Sequence, residues 1–336
     1  MTVDVVTKYG EFIDTTTMVG IEIGALHSPR LPRDDPNVRY LDHATKEELR
    51  AKYADNPQAA PRADDLVEVD YIWEPGLRLI DVLGEDAPID FVIASHLLEH
   101  IPNPLGWLQQ VEEILDEGGI LALVLPDKRY CFDARRPVTT LSQVTDAWLR
   151  DRQFATFQQI YDHEANFLGD VAAADLWAGL DPESLRRTDV DDADVFALNR
   201  CREIMETGDY QDVHCSTFTP ESFGEIFTTV VRLGLLNFEM LRLYPTEAND
   251  YEFFVTLRKR DLRDDVTRAR SLAEATRMLE AADGFGREPP GHRLMAVSEA
   301  EARTVEAKRR VLGAVRTTLA TIAATVRGST RSNPPT

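Results

Sequence analysis

Cysteine is scarce in this chain. Cys131, Cys201 and Cys215 are its only three in 336 residues, and no two form a C-x-x-C pair. An odd, widely spaced set excludes a disulfide framework or a zinc knuckle as the organising device and fits a reducing compartment. No stretch approaches the roughly 20 apolar residues that a spanning helix requires. The opening Met1-Thr2-Val3-Asp4-Val5-Val6 has neither the basic nor the apolar region of a secretory leader. Positive charge is also short: 37 Lys and Arg stand against 58 Asp and Glu, a formal charge of -21 that repels nucleic acid and anionic membranes. Together these absences predict a cytoplasmic protein with no membrane span and no nucleic-acid partner.

What is present is an ordinary globular composition, 43% apolar and 28% charged, in a length that suits one large domain with additions or two domains. Short apolar runs alternate with helical patterns, the signature of an α/β protein. Strands are predicted at Met18–Ile23, Val38–Asp42, Leu66–Asp70, Asp90–Ser95, Ile120–Pro126, Leu236–Arg242 and Tyr251–Arg258. Thr45-Lys46-Glu47-Glu48 reads as a capping box opening a helix to about Tyr53. Pro104 and Pro220 serve as first-turn prolines of two more helices, expected to stop at Gly118-Gly119 and at Gly234.

Two segments interrupt this rhythm. Residues 127–217 form a mainly helical insertion, patterned around Ser142–Ile160 and Asp194–Thr207, too long for an ordinary connection and expected to act as a cap. It divides a core of residues 1–126 and 218–260. A helical extension over 261–328, broken near Gly284–Gly291, and a disordered tail over 329–336 complete the expected organisation. Within the extension Val305, Leu312, Leu319 and Val326 recur every seven residues, with Val315 and Ile322 between them. That seam predicts either a homodimer through the C-terminal helices or a helix packed on its own domain.

Chemistry concentrates at the predicted strand ends. Glu22-Ile23-Gly24-Ala25 closes the first strand with an acid and a glycine that lets backbone approach a ligand closely. Asp42 closes the second, where a carboxylate can take both hydroxyls of a ribose, and Asp70 closes the third. The fourth runs Asp90-Phe91-Val92-Ile93-Ala94-Ser95-His96-Leu97-Leu98-Glu99-His100, with Leu115-Asp116-Glu117-Gly118-Gly119 and Pro126-Asp127 beyond. His96 to His100 also fits H-x-x-E-H, a zinc pattern that needs both histidines on one helix. Because His96 follows a strand and Pro102 comes soon after, the segment is read as a strand-end turn instead.

These motifs resemble the class I S-adenosylmethionine-dependent methyltransferases, from about Val19 to Pro126 and from Thr219 to Arg258. The resemblance implies a Rossmann-like seven-stranded sheet whose last strand is antiparallel. It also implies that Glu22, Gly24 and Ala25 line the methionine end of S-adenosylmethionine, Asp42 holds its ribose, Asp70 faces its adenine, and Ser95 and His96 close over it. The sequence departs from the family at Ala25-Leu26-His27, where a second glycine is common. There is no G-x-G-x-x-G, which disfavours a nicotinamide-dependent sugar oxidoreductase. A narrower resemblance, to methyltransferases of bacterial glycan biosynthesis, rests on Glu22 to Pro29, Pro126 to Asp133 and Arg136-Pro137-Val138-Thr139. It implies a saccharide hydroxyl as acceptor.

Such a hydroxyl needs a base, or a metal that lowers its pKa. His163 and His214 are the candidate bases, with Asp127 or Glu164 orienting them; Asp127, Asp162 and Glu164 are candidate ligands for Mg2+. The alternatives are a methyltransferase of another small molecule, the oxidoreductase, and a non-catalytic scaffold.

Overall fold

In the computed structural model the alternating apolar runs become strands. The structure describes residues 8, 11–54, 60–169, 171–185, 187 and 190–282. The chain enters the sheet through β1 (Gly20–Ile23) and β2 (Val38–Asp42), and after helix α1 (Lys46–Lys52) through β3 (Tyr71–Ile72). Helix α2 (Leu79–Leu83) leads to β4 (Ile89–Ser95), and α3 (Pro104–Ile114) to β5 (Leu115–Pro126). Helices α4 (Leu141–Leu149), α5 (Phe157–Asn166), α6 (Ala173–Trp177) and α7 (Ala193–Thr207) follow. Then come α8 (Pro220–Arg232), β6 (Phe238–Tyr244), β7 (Glu252–Lys259) and α9 (Asp265–Ala282).

The seven strands lie in the order β3-β2-β1-β4-β5-β7-β6. The first five are parallel, and β7 runs antiparallel to both β5 and β6. This is the Rossmann-like sheet with an antiparallel last strand. Its central strands are buried on both faces, as parallel strands covered by helices must be. Val92, Ala94, Leu121, Leu123 and Leu125 meet one apolar layer, while Phe91, Ile93, Ile120, Ala122 and Val124 meet the other. The chain proceeds outward from β1 to β3 and then returns to β4, so the strand order reverses between β1 and β4. Ligands of open α/β sheets bind in the crevice outside the carboxyl ends at that point.

Local chemistry explains most of the helix boundaries. Thr45 accepts from the Glu48 N–H while the Glu48 carboxylate accepts from the Thr45 N–H, which is the expected capping box. Pro220 stands in the first turn of α8 behind the Thr219 cap, and Gly234 adopts a positive φ just past its end. The expected stop of α3 at Gly118-Gly119 comes too late. Leu115 pairs with Ile89 and turns the chain into β5, so the helix ends at Ile114 and both glycines lie inside the strand.

The third strand also differs from expectation. Only Tyr71 and Ile72 pair with β2, so Asp70 precedes the strand instead of closing it. The Asp70 N–H donates to the Tyr40 carbonyl, and its carboxylate accepts from the Tyr40 N–H at 2.8 Å. A side chain here takes the bond that a strand backbone would make. Upstream, the Val67 N–H donates to the Leu26 carbonyl in the loop after β1.

The described residues belong to one unit, residues 1–286, and a second unit of residues 287–336 lies outside them. Helix α9 covers α8 and β6, burying Ala275, Leu279 and Ala282. A Cβ at Gly224 would come within 2.1 Å of the Leu279 side chain, so the close approach of α8 and α9 uses a glycine. The seam at residues 305–326, the break at 284–291 and the tail at 329–336 all lie outside the described residues.

Candidate functional site

At the crevice, Gly24 has a φ of +70, and a Cβ built on it would meet nothing within 4 Å. Open space therefore faces a backbone that can be approached closely. Glu22 is buried at the end of β1, and its carboxylate accepts from the Arg30 N–H at 2.8 Å and more weakly from the Leu31 N–H. Burial pushes its pKa up to about 7 against those two donors. Glu22 thus ties back the loop that follows β1, and Ala25 is buried beside it. Asp42 is buried at the end of β2 and accepts from the His43 N–H at 2.7 Å.

Beyond β4 the backbone is bent by His96, whose φ is +51. Its Nε2 lies 2.7 Å from the Glu252 carboxylate at the start of β7. Arg30 donates to both Ser95 Oγ and Glu252 at 3.2 Å, joining the ends of β1, β4 and β7. Burial opposes a proton on His96, but the Glu252 and Glu99 carboxylates outweigh it and push its pKa up to about 9. The ring is a cation at neutral pH.

The insertion leaves and rejoins the sheet at one place. Asp127 bridges to Phe218, and the Lys128 N–H donates to the Phe218 carbonyl. Just before that return, the Ser216 N–H donates to the Glu99 carbonyl, which brings His214 beside the turn Leu98–His100. The rings of His100 and His214 meet edge to face at 4.6 Å, and His163 lies 5.8 Å from His214. His214 Nδ1 is 2.5 Å from Asp133 Oδ2. The other Asp133 oxygen accepts from Arg136, which also donates to Asp162 and to the His214 carbonyl. Burial opposes charge on Asp133, but His214 and Arg136 hold its carboxyl well below the usual range. Burial, with the charge of Arg136, pushes the His163 pKa down to about 3, leaving a neutral ring whose buried Nδ1 has no partner among the described residues.

A protein family described as a methyltransferase domain matches residues 10–230. The chain belongs to this methyltransferase family. No curated protein matches it. Among solved structures it is similar to the CcbJ methyltransferase of Streptomyces caelestis, at 12% identity over 76% of this chain and 94% of that one, with a TM-score of 0.37. A SAM-dependent methyltransferase of Methanosarcina mazei is 15% identical over 77% and 99%, with a TM-score of 0.37. The CurJ carbon methyltransferase is 13% identical over 76% of this chain but only 52% of that one, with a TM-score of 0.31, so the chain spans about half its length. The protein is a methyltransferase.

In this methyltransferase the sequence-predicted residues fall into two groups. Glu22, Gly24, Ala25, Asp42, Ser95 and His96 gather at the crevice, whereas the Asp70 carboxylate is engaged with the β2 backbone. His163 and His214 come together, but the expected orienting acids do not reach them. Asp127 is enclosed by Arg129 and Thr246, and Glu164 is paired with Arg187. Asp162 is held by Arg136. Each of the three proposed Mg2+ ligands is therefore neutralised by an arginine, and they form no shared metal group among the described residues. The orienting acid is Asp133, a residue that sequence reading had placed only in a motif. Arg30, Glu99, His100, Arg136, Asp212 and Glu252 were missed as well. Glu99 and His100 carried a signal in the H-x-x-E-H pattern and Arg136 in the Arg136-Pro137-Val138-Thr139 motif; the others carried none.

A cavity of about 520 Å³ lies on the α4–α5 side of the Arg136–Asp162 pair, lined in part by Gln143, Arg152, Gln159 and Tyr161. None of the crevice residues lines it. No described helix is long and apolar enough to cross a membrane.

Proposed function

We propose that this methyltransferase transfers a methyl group to a hydroxyl oxygen of a saccharide. The observation that carries an oxygen acceptor is the buried Asp133–His214 pair. A carboxylate on Nδ1 fixes the orientation and tautomer of the imidazole and leaves Nε2 to take a proton, the arrangement a general base requires. Support for a saccharide comes from the motif residues that resemble the glycan enzymes: Asp133 and Arg136 are the ones that build this pair. The cavity on the far side of Arg136 has a lining of mixed polar and apolar character, with Gln143, Arg152, Gln159 and Tyr161 among its polar residues.

The crevice residues suit the cofactor that the family implies. Gly24 leaves room for close approach, and the Asp42 carboxylate is placed for a ribose. When bound, S-adenosylmethionine supplies an electrophilic methyl carbon on a sulfonium. Glu22 keeps the loop after β1 in place, and Ser95 and His96 cover the methionine end. The adenine role implied for Asp70 would require its carboxylate to leave the Tyr40 N–H, or the adenine to lie beyond Ile72. In the transfer, the acceptor oxygen forms a bond to the methyl carbon, the carbon–sulfur bond breaks, and His214 takes the hydroxyl proton. Holding the two substrates in line accounts for most of the rate.

The test is transfer of labelled methyl from S-adenosylmethionine to a panel of saccharides, with amine-bearing acceptors in parallel. Label on amines alone would refute the oxygen reading. The insertion serves as the acceptor cap in this reading, and the seam at residues 305–326 as a homodimer contact.

A further inference from the structure

Glu99, beside the crevice, is fully buried, at 0% exposure. Apart from His96 Nδ1 at 3.4 Å, neither of its oxygens has a hydrogen-bond partner among the described residues. The His96 cation offsets part of this charge from one side, but both oxygens remain without a hydrogen bond among the described residues, a costly state for a buried carboxylate that a bound ion would relieve. Two imidazoles stand beside it. Ligating atoms of Glu99, His100 and His214 all lie within 4.8 Å of one another. Ligands held at roughly 2.0–2.2 Å from zinc sit about 3.5 Å apart in a tetrahedron, so small side-chain shifts would close the set.

The outer contacts point the same way. Metal-ligating histidines almost always present their second ring nitrogen to a carboxylate or carbonyl, which fixes ring orientation and tautomer. His214 Nδ1 is 2.5 Å from Asp133, and His100 Nδ1 is 2.9 Å from Asp212, an ion-pair contact that lacks hydrogen-bond geometry until the ring turns slightly. Each ring offers one nitrogen to the cluster. Two imidazoles with one carboxylate suit zinc, cobalt or manganese better than magnesium, which prefers oxygen donors throughout.

We propose that Glu99, His100 and His214 form a binding site for one divalent transition-metal ion. Glu99 lies three residues beyond His96, so the ion would sit beside the cofactor cleft with a coordination position open to an acceptor hydroxyl. This goes beyond the function proposed above and rests on it only for the acceptor. With an ion bound, His214 is a ligand, the ion lowers the hydroxyl pKa, and the proton passes to solvent instead of to the ring.

The test uses the full-length protein, stripped with a chelator and titrated with Co2+ and then Zn2+ by calorimetry and visible absorption. The expected result is one Co2+ per chain with a visible ligand-field band, displaced by Zn2+. Glu99→Gln and His214→Ala are each expected to weaken binding at least about 100-fold, and His163→Ala to preserve it. Asp212→Asn, at a half-exposed side chain, is expected to weaken it about 10- to 100-fold without unfolding the protein. This variant decides the matter if the buried substitutions fail to fold. A parent protein that binds no ion, or an Asp212→Asn protein that binds as tightly as the parent, overturns the site. Ion binding is read without acceptor, so the two readings separate. Methyl transfer to a sugar by a chain that binds no ion defeats only the metal, and stoichiometric ion binding with no labelled sugar defeats only the saccharide.

Discussion

Asp133 and His214 are 81 residues apart in sequence, and the carboxylate Oδ2 of one lies 2.5 Å from the ring Nδ1 of the other with both side chains buried. The pair exists because Arg136 ties Asp133 to the backbone of residue 214. Whether His214 takes a proton or holds an ion, Asp133 sets its orientation. Asp133→Asn and His214→Ala are each expected to lower turnover about 100-fold or more while leaving cofactor affinity nearly unchanged. Steady-state kinetics with calorimetry checks this, and near-normal turnover in both variants removes the pair from the chemistry.

Asp42 closes β2 with a buried carboxylate beside the crevice. Asp42→Ala is expected to weaken S-adenosylmethionine binding by about 1–3 kcal/mol, the usual loss for a charged hydrogen-bond partner. Unchanged affinity by calorimetry would take Asp42 out of the site.

Glu22 gives a pH signature. Its pKa is near 7 in the folded protein and near 4.5 for an ordinary glutamate. Between those values the folded chain keeps a proton that the unfolded chain has lost. Its contribution to stability is therefore largest below pH 4.5 and declines as pH rises through 7. Relative to the parent, Glu22→Gln is expected to gain in Tm steadily from pH 5 to 7.5. A constant offset across that range would contradict the shift.

Arg136 is 3% exposed and serves Asp133, Asp162 and the His214 carbonyl. Removing it strands a buried carboxylate, and loss of one partner of a buried ion pair costs about 3–5 kcal/mol. Arg136→Ala is expected to show a loss of that size in urea unfolding. A change below about 1 kcal/mol would mean that solvent reaches the pair.

For the homodimer, the informative truncation falls after Ala282, because α9 buries Ala275, Leu279 and Ala282 against the core. Light scattering is expected to show a dimer for the full chain and a monomer for residues 1–282. A full chain that is monomeric at micromolar concentration defeats the seam.

Much of the fold was legible before the structure. Strand β2 has its predicted bounds, the Thr45 box caps α1, and the prolines at 104 and 220 open α3 and α8. Each of these depends on residues within a few positions of one another, where capping geometry and side-chain periodicity act directly. Errors arose where a distant partner intervened: Tyr40 consumed the Asp70 carboxylate, and Ile89 drew Leu115 out of its helix.

The same division runs through the site. The crevice acids and Gly24 stand at strand ends, and a parallel sheet presents those ends together, so local pattern sufficed for them. The H-x-x-E-H pattern, by contrast, drew attention to His96 as the partner of His100. Leu98–His100 form a single 3-10 turn and not the α-helix the pattern needs, and the second imidazole beside His100 is that of His214. Nor could the sequence separate Asp133 from Asp127 as the acid that orients it. The sequence by itself determined most of the strands, the residues that close β1 and β2, and the helix caps, because these follow from short-range sterics and hydrogen bonding. Which carboxylates meet arginines and which meet histidines was decided only by the tertiary structure, because that choice depends on how a 91-residue insertion returns its end to the sheet.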